Sequence, residues 1–220
     1  GGAGGSGGAG GNEGEDGQYD EGYDEVALAL LGSHAHEEGI DGAAVFTKAL
    51  SVLAGATTAL DPKSFLDEII PTARTTAMRE RLRRLRAHLG RHTFGALPPT
   101  LCEQEEGAGP ELYGVVPFQI DAPSAVACAL WAFLYAARPD GRPEDAIVEA
   151  VAMGGDTDSV AMMAGALTGA MWGDAWVPAG LLDGLEEGAV DRLKASARAI
   201  CDLATCDFAT AVETGAGARR

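Results

Sequence analysis

An all-α fold follows from three features of the 220-residue sequence. Apolar residues recur at intervals of three and four through successive stretches, which is the period of a helix with one buried face. Acidic residues and prolines open several of these stretches, and glycines or prolines close them. Extended alternation of apolar and polar residues, the mark of a half-buried strand, is not what the long apolar stretches show. With 46% of its residues apolar, the chain can bury one sizeable core.

Residues 1–23 come first, glycine-rich and then acidic, too poor in apolar surface to offset the entropy of ordering; a disordered segment is expected there. Order is expected from Asp24, with a short apolar stretch through Val26, Leu28, Leu30 and Leu31. A turn through Ser33, His34 and His36 precedes a helix from about Ala43 to Leu53, whose inner face is Val45, Phe46, Ala49, Leu50 and Leu53. His34 and His36 lie two apart and point to opposite sides of either a strand or a helix, so a shared metal ion is not expected.

Helical spacing continues from Pro62 to Leu89 with a break near Pro71. Met78, Leu82, Leu85 and Leu89 form the apolar stripe, and Arg79, Arg81, Arg83, Arg84 and Arg86 fill the other faces. That run is either a solvated helix face or an anion-binding patch. A loop follows through Pro98-Pro99 and the stretch 103–109. Asp121-Ala122-Pro123-Ser124 then starts a helix, 125–137, that is apolar nearly all round and belongs at the centre of the core. Pro143, Glu144 and Asp145 open the next, with Ile147, Val148 and Val151 expected to face inward. After the 154–170 stretch, Trp172, Trp176 and Pro178 close that helix; a last one spans about 185–203, and a frayed tail, 205–220, ends the chain.

Gly154-Gly155-Asp156-Thr157-Asp158-Ser159-Val160-Ala161 carries the chemistry. The two glycines can take the left-handed conformation that ends a helix. Asp156, Asp158 and Ser159 can cap the first turn of the next. Two carboxylates and a hydroxyl within four positions also make an oxygen-only donor set that suits a hard ion such as Mg²⁺. Spacing alone leaves both readings open. Further on, Gly165 and Gly169 share a helix face that would let another helix approach closely.

The motif, leading into Ala164-Gly165-Ala166 and Thr168-Gly169-Ala170, resembles the C-terminal metal motif of the ADP-ribosylglycohydrolase family. The resemblance implies an orthogonal multi-helix bundle over residues 24–204 that uses two Mg²⁺ ions to hydrolyse the bond at C1″ of ADP-ribose. It implies Asp156, Asp158 and Ser159 as metal ligands. The branch it is most similar to acts on serine-linked ADP-ribose, poly(ADP-ribose) and O-acetyl-ADP-ribose. Ser33-His34 matches a step whose histidine contacts the phosphates, and Gly114 and Val116 match a loop lying against the adenosine half. The family's other metal ligands form a Thr-Asp-Asp cluster in an N-terminal third, where the general acid and base are also expected, and no Asp-Asp pair occurs in this sequence. The expectation is therefore a C-terminal part of such an enzyme with little activity, or else a catalytically dead module that binds ADP-ribose or a protein.

Charge and cysteine usage bound the partners. A net charge of −17 disfavours nucleic acid, which is held by cationic side chains. Cys102, Cys128, Cys201 and Cys206 lack the paired spacing of a zinc site and read as reduced thiols. No run reaches the ~18 to 20 apolar residues of a membrane span, and the glycine-rich start does not look like a secretion signal. An intracellular monomer that binds ADP-ribose or an ADP-ribosylated protein is expected.

Overall fold

The computed structural model describes residues 21–54, 60–89, 103–105 and 116–205. The expected disordered segment, apart from its last three residues, and the expected frayed tail after residue 205 lie outside them. Two compact units divide at Gly173 and Asp174. In the first, helices α1 (Glu21–Leu30), α2 (Glu37–Ala54), α3 (Pro62–Ile69), α4 (Thr76–Leu89), α5 (Ala122–Ala136), α6 (Asp145–Ala152) and α7 (Thr157–Trp172) follow one another. A single turn of 3₁₀ helix, Ile70–Thr72, joins α3 to α4. The fold is all-α, and among the described residues only one short ladder departs from it, in which β1 (Glu103–Glu105) pairs antiparallel with β2 (Val116–Phe118).

The sequence explains α5 as the axis. Asp121 caps it by accepting from the Ser124 N–H at 2.9 Å, and Pro123, which has no N–H to lose, sits in the first turn. Leu130, Trp131, Phe133 and Leu134 are wholly buried, each such side chain contributing about 1.5–3 kcal/mol of apolar transfer. α5 packs against α2, α4, α6 and α7, so every face of it is covered and an all-round apolar sequence is what the position demands. Phe133 meets Phe65 edge-on with ring centroids 5.9 Å apart, and leans on Trp172 at 5.8 Å.

Elsewhere the structure corrects the sequence-based expectations. α2 begins at Glu37, not near Ala43, because Glu37 and Glu38 supply first-turn acid and Gly39 and Gly42 lie within the helix. Asp41, ahead of the expected helix start, is wholly buried and accepts from the Arg74 and Thr75 N–H groups, both at 2.8 Å, and from Thr75 Oγ1 at 2.6 Å. It thereby caps α4 from another helix. On α6 it is Ala146 and Ala150 that are buried, while Val148 and Val151 are exposed. Alanines let the helix lie close to α5 and α7, which valines on that face would not. Of the two glycines expected to admit a neighbour, Gly165 does so, a Cβ there falling 3.3 Å from Ile147 Cδ1, whereas at Gly169 no atom of the described residues comes within 4 Å.

Arg79, Arg84 and Arg86 of α4 are engaged in local structure. Arg79 donates to the Ala73 carbonyl at 2.7 Å, Arg84 to Glu80 at 3.2 Å, and Arg86 grips Asp67 through both Nε and Nη2. Arg74, just ahead, lies 3.5 Å from the centre of the Tyr23 ring. A solvated, internally paired face is the reading these contacts favour.

In the second unit α8 (Ala179–Leu182) precedes α9 (Ala189–Thr205). α9 starts four residues later than the apolar pattern suggests because Gly188 stands at φ +75°, a conformation that a continuing helix excludes. Among the described residues, no helix is long and apolar enough to cross a membrane.

Candidate functional site

The loop between α6 and α7 is built by its glycines. Met153 still bonds back to the Glu149 carbonyl at 3.1 Å, after which Gly154 and Gly155 stand at φ +75° and +74°. Two successive left-handed residues turn the chain sharply without the strain a Cβ would bring. The Thr157 N–H then reaches Gly155 O at 2.9 Å, and α7 is under way when the Val160 N–H bonds Asp156 O at 3.1 Å.

Asp156 occupies the N-cap position of α7, yet its side chain makes no capping hydrogen bond. The plain capping role is thus not where its carboxylate is spent. Asp158 is exposed and Ser159 half-buried. The Asp158 carboxyl is held below the usual carboxylate range, first by a hydrogen bond from Asp156 and then by the N–H groups of Asp158 and Ser159. The two carboxyls lie two positions apart at the start of α7. Carboxylates this near in the chain repel unless a cation sits between them. With the Ser159 hydroxyl one residue on, the donors are all oxygen, and they fit a hard divalent ion. They are too few to enclose one: among the described residues no group of three or more His, Cys, Asp and Glu side chains converges.

The other residues singled out by sequence fall as follows. Ser33 and His34 lie exposed on the turn that leaves α1, where both N–H groups bond the Leu30 carbonyl, at 2.9 and 2.8 Å, and Ser33 Oγ donates to the same oxygen at 3.3 Å. His36 Nδ1 accepts from the Glu38 N–H at 3.3 Å, a helix-start contact that suffices to explain that histidine. Val116 opens β2, and Gly114 lies outside the described residues.

Sequence reasoning missed Gln119 and Glu149. Gln119 is buried, and its Nε2 donates to Met153 Sδ at 3.9 Å, one residue ahead of the glycine loop. Glu149 accepts from the indole N–H of the buried Trp131 at 3.1 Å, pinning α6 to α5. A tryptophan in an apolar helix, needing a partner for its N–H, was a usable signal for the second; a lone glutamine carried none for the first.

A search of curated proteins finds no match to the chain. The family model described as ADP-ribosylglycohydrolase matches residues 16–210. With most of its length matched, and with the Gly-Gly-Asp-Thr-Asp-Ser loop set at the head of a buried-core helix, the chain belongs to the ADP-ribosylglycohydrolase family.

Proposed function

We propose that the protein is a Mg²⁺-dependent hydrolase cleaving the C1″ glycosidic bond of ADP-ribose carried on serine, in poly(ADP-ribose) or as O-acetyl-ADP-ribose. The observation that supports it most directly is the pair Asp156 and Asp158, two carboxylates set at the start of α7, the first of them at the N-cap yet free of capping duty. In this reading Asp156, Asp158 and Ser159 hold the metal. A bound divalent ion supplies Lewis-acid polarisation of the substrate's oxygens and of water. The glycine turn leads directly into the head of α7, where both carboxylates lie. Ser33 and His34 offer a hydroxyl and an imidazole to an anionic phosphate, and Gly114 and Val116 are assigned to the adenosine half.

A second reading, an ADP-ribose-binding module without turnover, is favoured by one specific observation: among the described residues no third acidic side chain joins the pair. One experiment separates the two. Release of ADP-ribose from a serine-linked peptide is measured in Mg²⁺ with the wild type and with Asp158→Ala, alongside calorimetry with ADP-ribose. Release that Asp158→Ala abolishes supports the hydrolase. Binding without release, lost in the variant, supports the module, and neither binding nor release sinks both.

A further inference from the structure

Gln119, just ahead of α5, is 1% exposed. Its Nε2 donates to Met153 Sδ, while its Oε1 has no hydrogen-bond partner among the described residues. A buried acceptor left unpaired destabilises the fold, so for stability alone a leucine of similar volume would serve better. The residue it touches is the last one before the glycine turn. Gly154 and Gly155 have no side chains by which neighbours could hold them, and Asp156 has no capping bond. The direction in which this loop leaves α6 is therefore set at Met153, whose side chain packs against the apolar groups on both sides of α5. The contact from Gln119 adds the polar constraint, carried across from the start of α5.

We infer that Gln119 is a positioning residue, fixing Met153 and through it the loop that presents Asp156, Asp158 and Ser159. Its consequence for metal affinity rests on the hydrolase or module reading above; its consequence for the loop does not.

The test is a double-mutant cycle in the full chain: Gln119→Leu, Met153→Leu and the pair. Each leucine keeps the packing and removes one half of the contact. Amide hydrogen exchange over residues 154–160 is read without metal, the melting temperature is recorded beside it, and Mg²⁺ binding is measured by calorimetry. Exchange in Gln119→Leu should speed up roughly fivefold, the effect of one lost hydrogen bond, with the melting temperature unchanged or raised. Met153→Leu should match it, and the pair should be no worse than either alone, because the same coupling is lost once. The Mg²⁺ dissociation constant should rise by a similar factor. Unchanged exchange in Gln119→Leu, or effects of the two substitutions that simply add, would overturn the inference. If exchange behaves as expected but the wild type takes up no Mg²⁺, the positioning role stands and the metal reading falls; Mg²⁺ uptake with unaltered exchange gives the reverse.

Discussion

Asp41 shows how much a single side chain settles. It spends both carboxylate oxygens on the two residues just ahead of α4, taking the Arg74 and Thr75 N–H groups and the Thr75 hydroxyl. The Thr75 hydroxyl in turn accepts from the Met78 N–H at 3.3 Å, so one buried acid organises the whole start of the helix. Asp41→Ala leaves these donors without partners in a site that water does not reach, and should cost about 3 kcal/mol. Asp41→Asn, which keeps one oxygen acceptor, should cost less. Urea unfolding midpoints of the two variants check the order, and equal losses would show that the carboxylate is not acting as a cap. Tyr23 belongs to the same cluster: burial, then the nearby Asp41 charge, pushes its phenol above the ordinary range, although Arg74 opposes.

At the level of elements, close approach and charge pairing each give an expectation with a sign. A Cβ on Gly42 would lie 2.8 Å from Ala122 Cβ, a short, inflexible neighbour on α5. Gly42→Ala should therefore destabilise by about 1–3 kcal/mol through overpacking. Gly169 has nothing within 4 Å of its Cβ position and sits inside α7, so Gly169→Ala should be neutral or stabilising by about 0.5–1 kcal/mol. Thermal melts of the pair decide it, and a loss at Gly169 larger than that at Gly42 would contradict the packing described. The corner between α5 and α6 is braced by Asp145, which takes Arg138 Nη2 at 2.9 Å, the Arg142 N–H at 3.1 Å and Arg142 Nη2 at 3.3 Å. Burial alone would raise its pKa, but these bonds outweigh it and hold the carboxyl below the ordinary range. A folded-state pKa below the unfolded one contributes stability that is present above about pH 4 and lost as pH falls through the depressed value. Asp145→Asn should lower stability at pH 7 and flatten the decline below about pH 4. An acid-unfolding curve that keeps the wild-type slope would rule this out.

These elements also show why some of the fold was legible in the sequence. α5 could be read because its apolar residues are large and its cap, Asp121 with Pro123, is local. The Gly154–Ser159 loop could be read because consecutive glycines and clustered oxygens have few other uses. The cap at Asp41 could not, since its partners are 33 and 34 residues away and nothing local marks them. The inward face of α6 was misread for a different reason: hydropathy ranks valine above alanine, while close helix packing selects the smaller side chain.

For the whole molecule, the sign of its charge constrains how an anion can be bound. The chain carries −17 overall, and its richest basic stretch, on α4, has Arg79, Arg84 and Arg86 committed to partners within the fold. On the function proposed above, ADP-ribose, with two phosphates, would approach against a repulsive mean field and be held by local features such as the Asp156–Ser159 loop and a metal bound there. Between about 0.02 and 0.2 M salt the screening length falls from roughly 20 to roughly 7 Å, which weakens that long-range repulsion while leaving short contacts largely intact. At saturating Mg²⁺ the association rate of ADP-ribose should therefore rise with NaCl, by a few-fold over this range. A protein that captured the ligand on an arginine patch would show the opposite slope, as cation-driven binding of phosphates does. Stopped-flow association at several NaCl concentrations, with ionic strength from Mg²⁺ held constant, distinguishes the two. A rate that falls steeply with salt would return the α4 arginines to the role of anion-binding surface and remove the loop from that role.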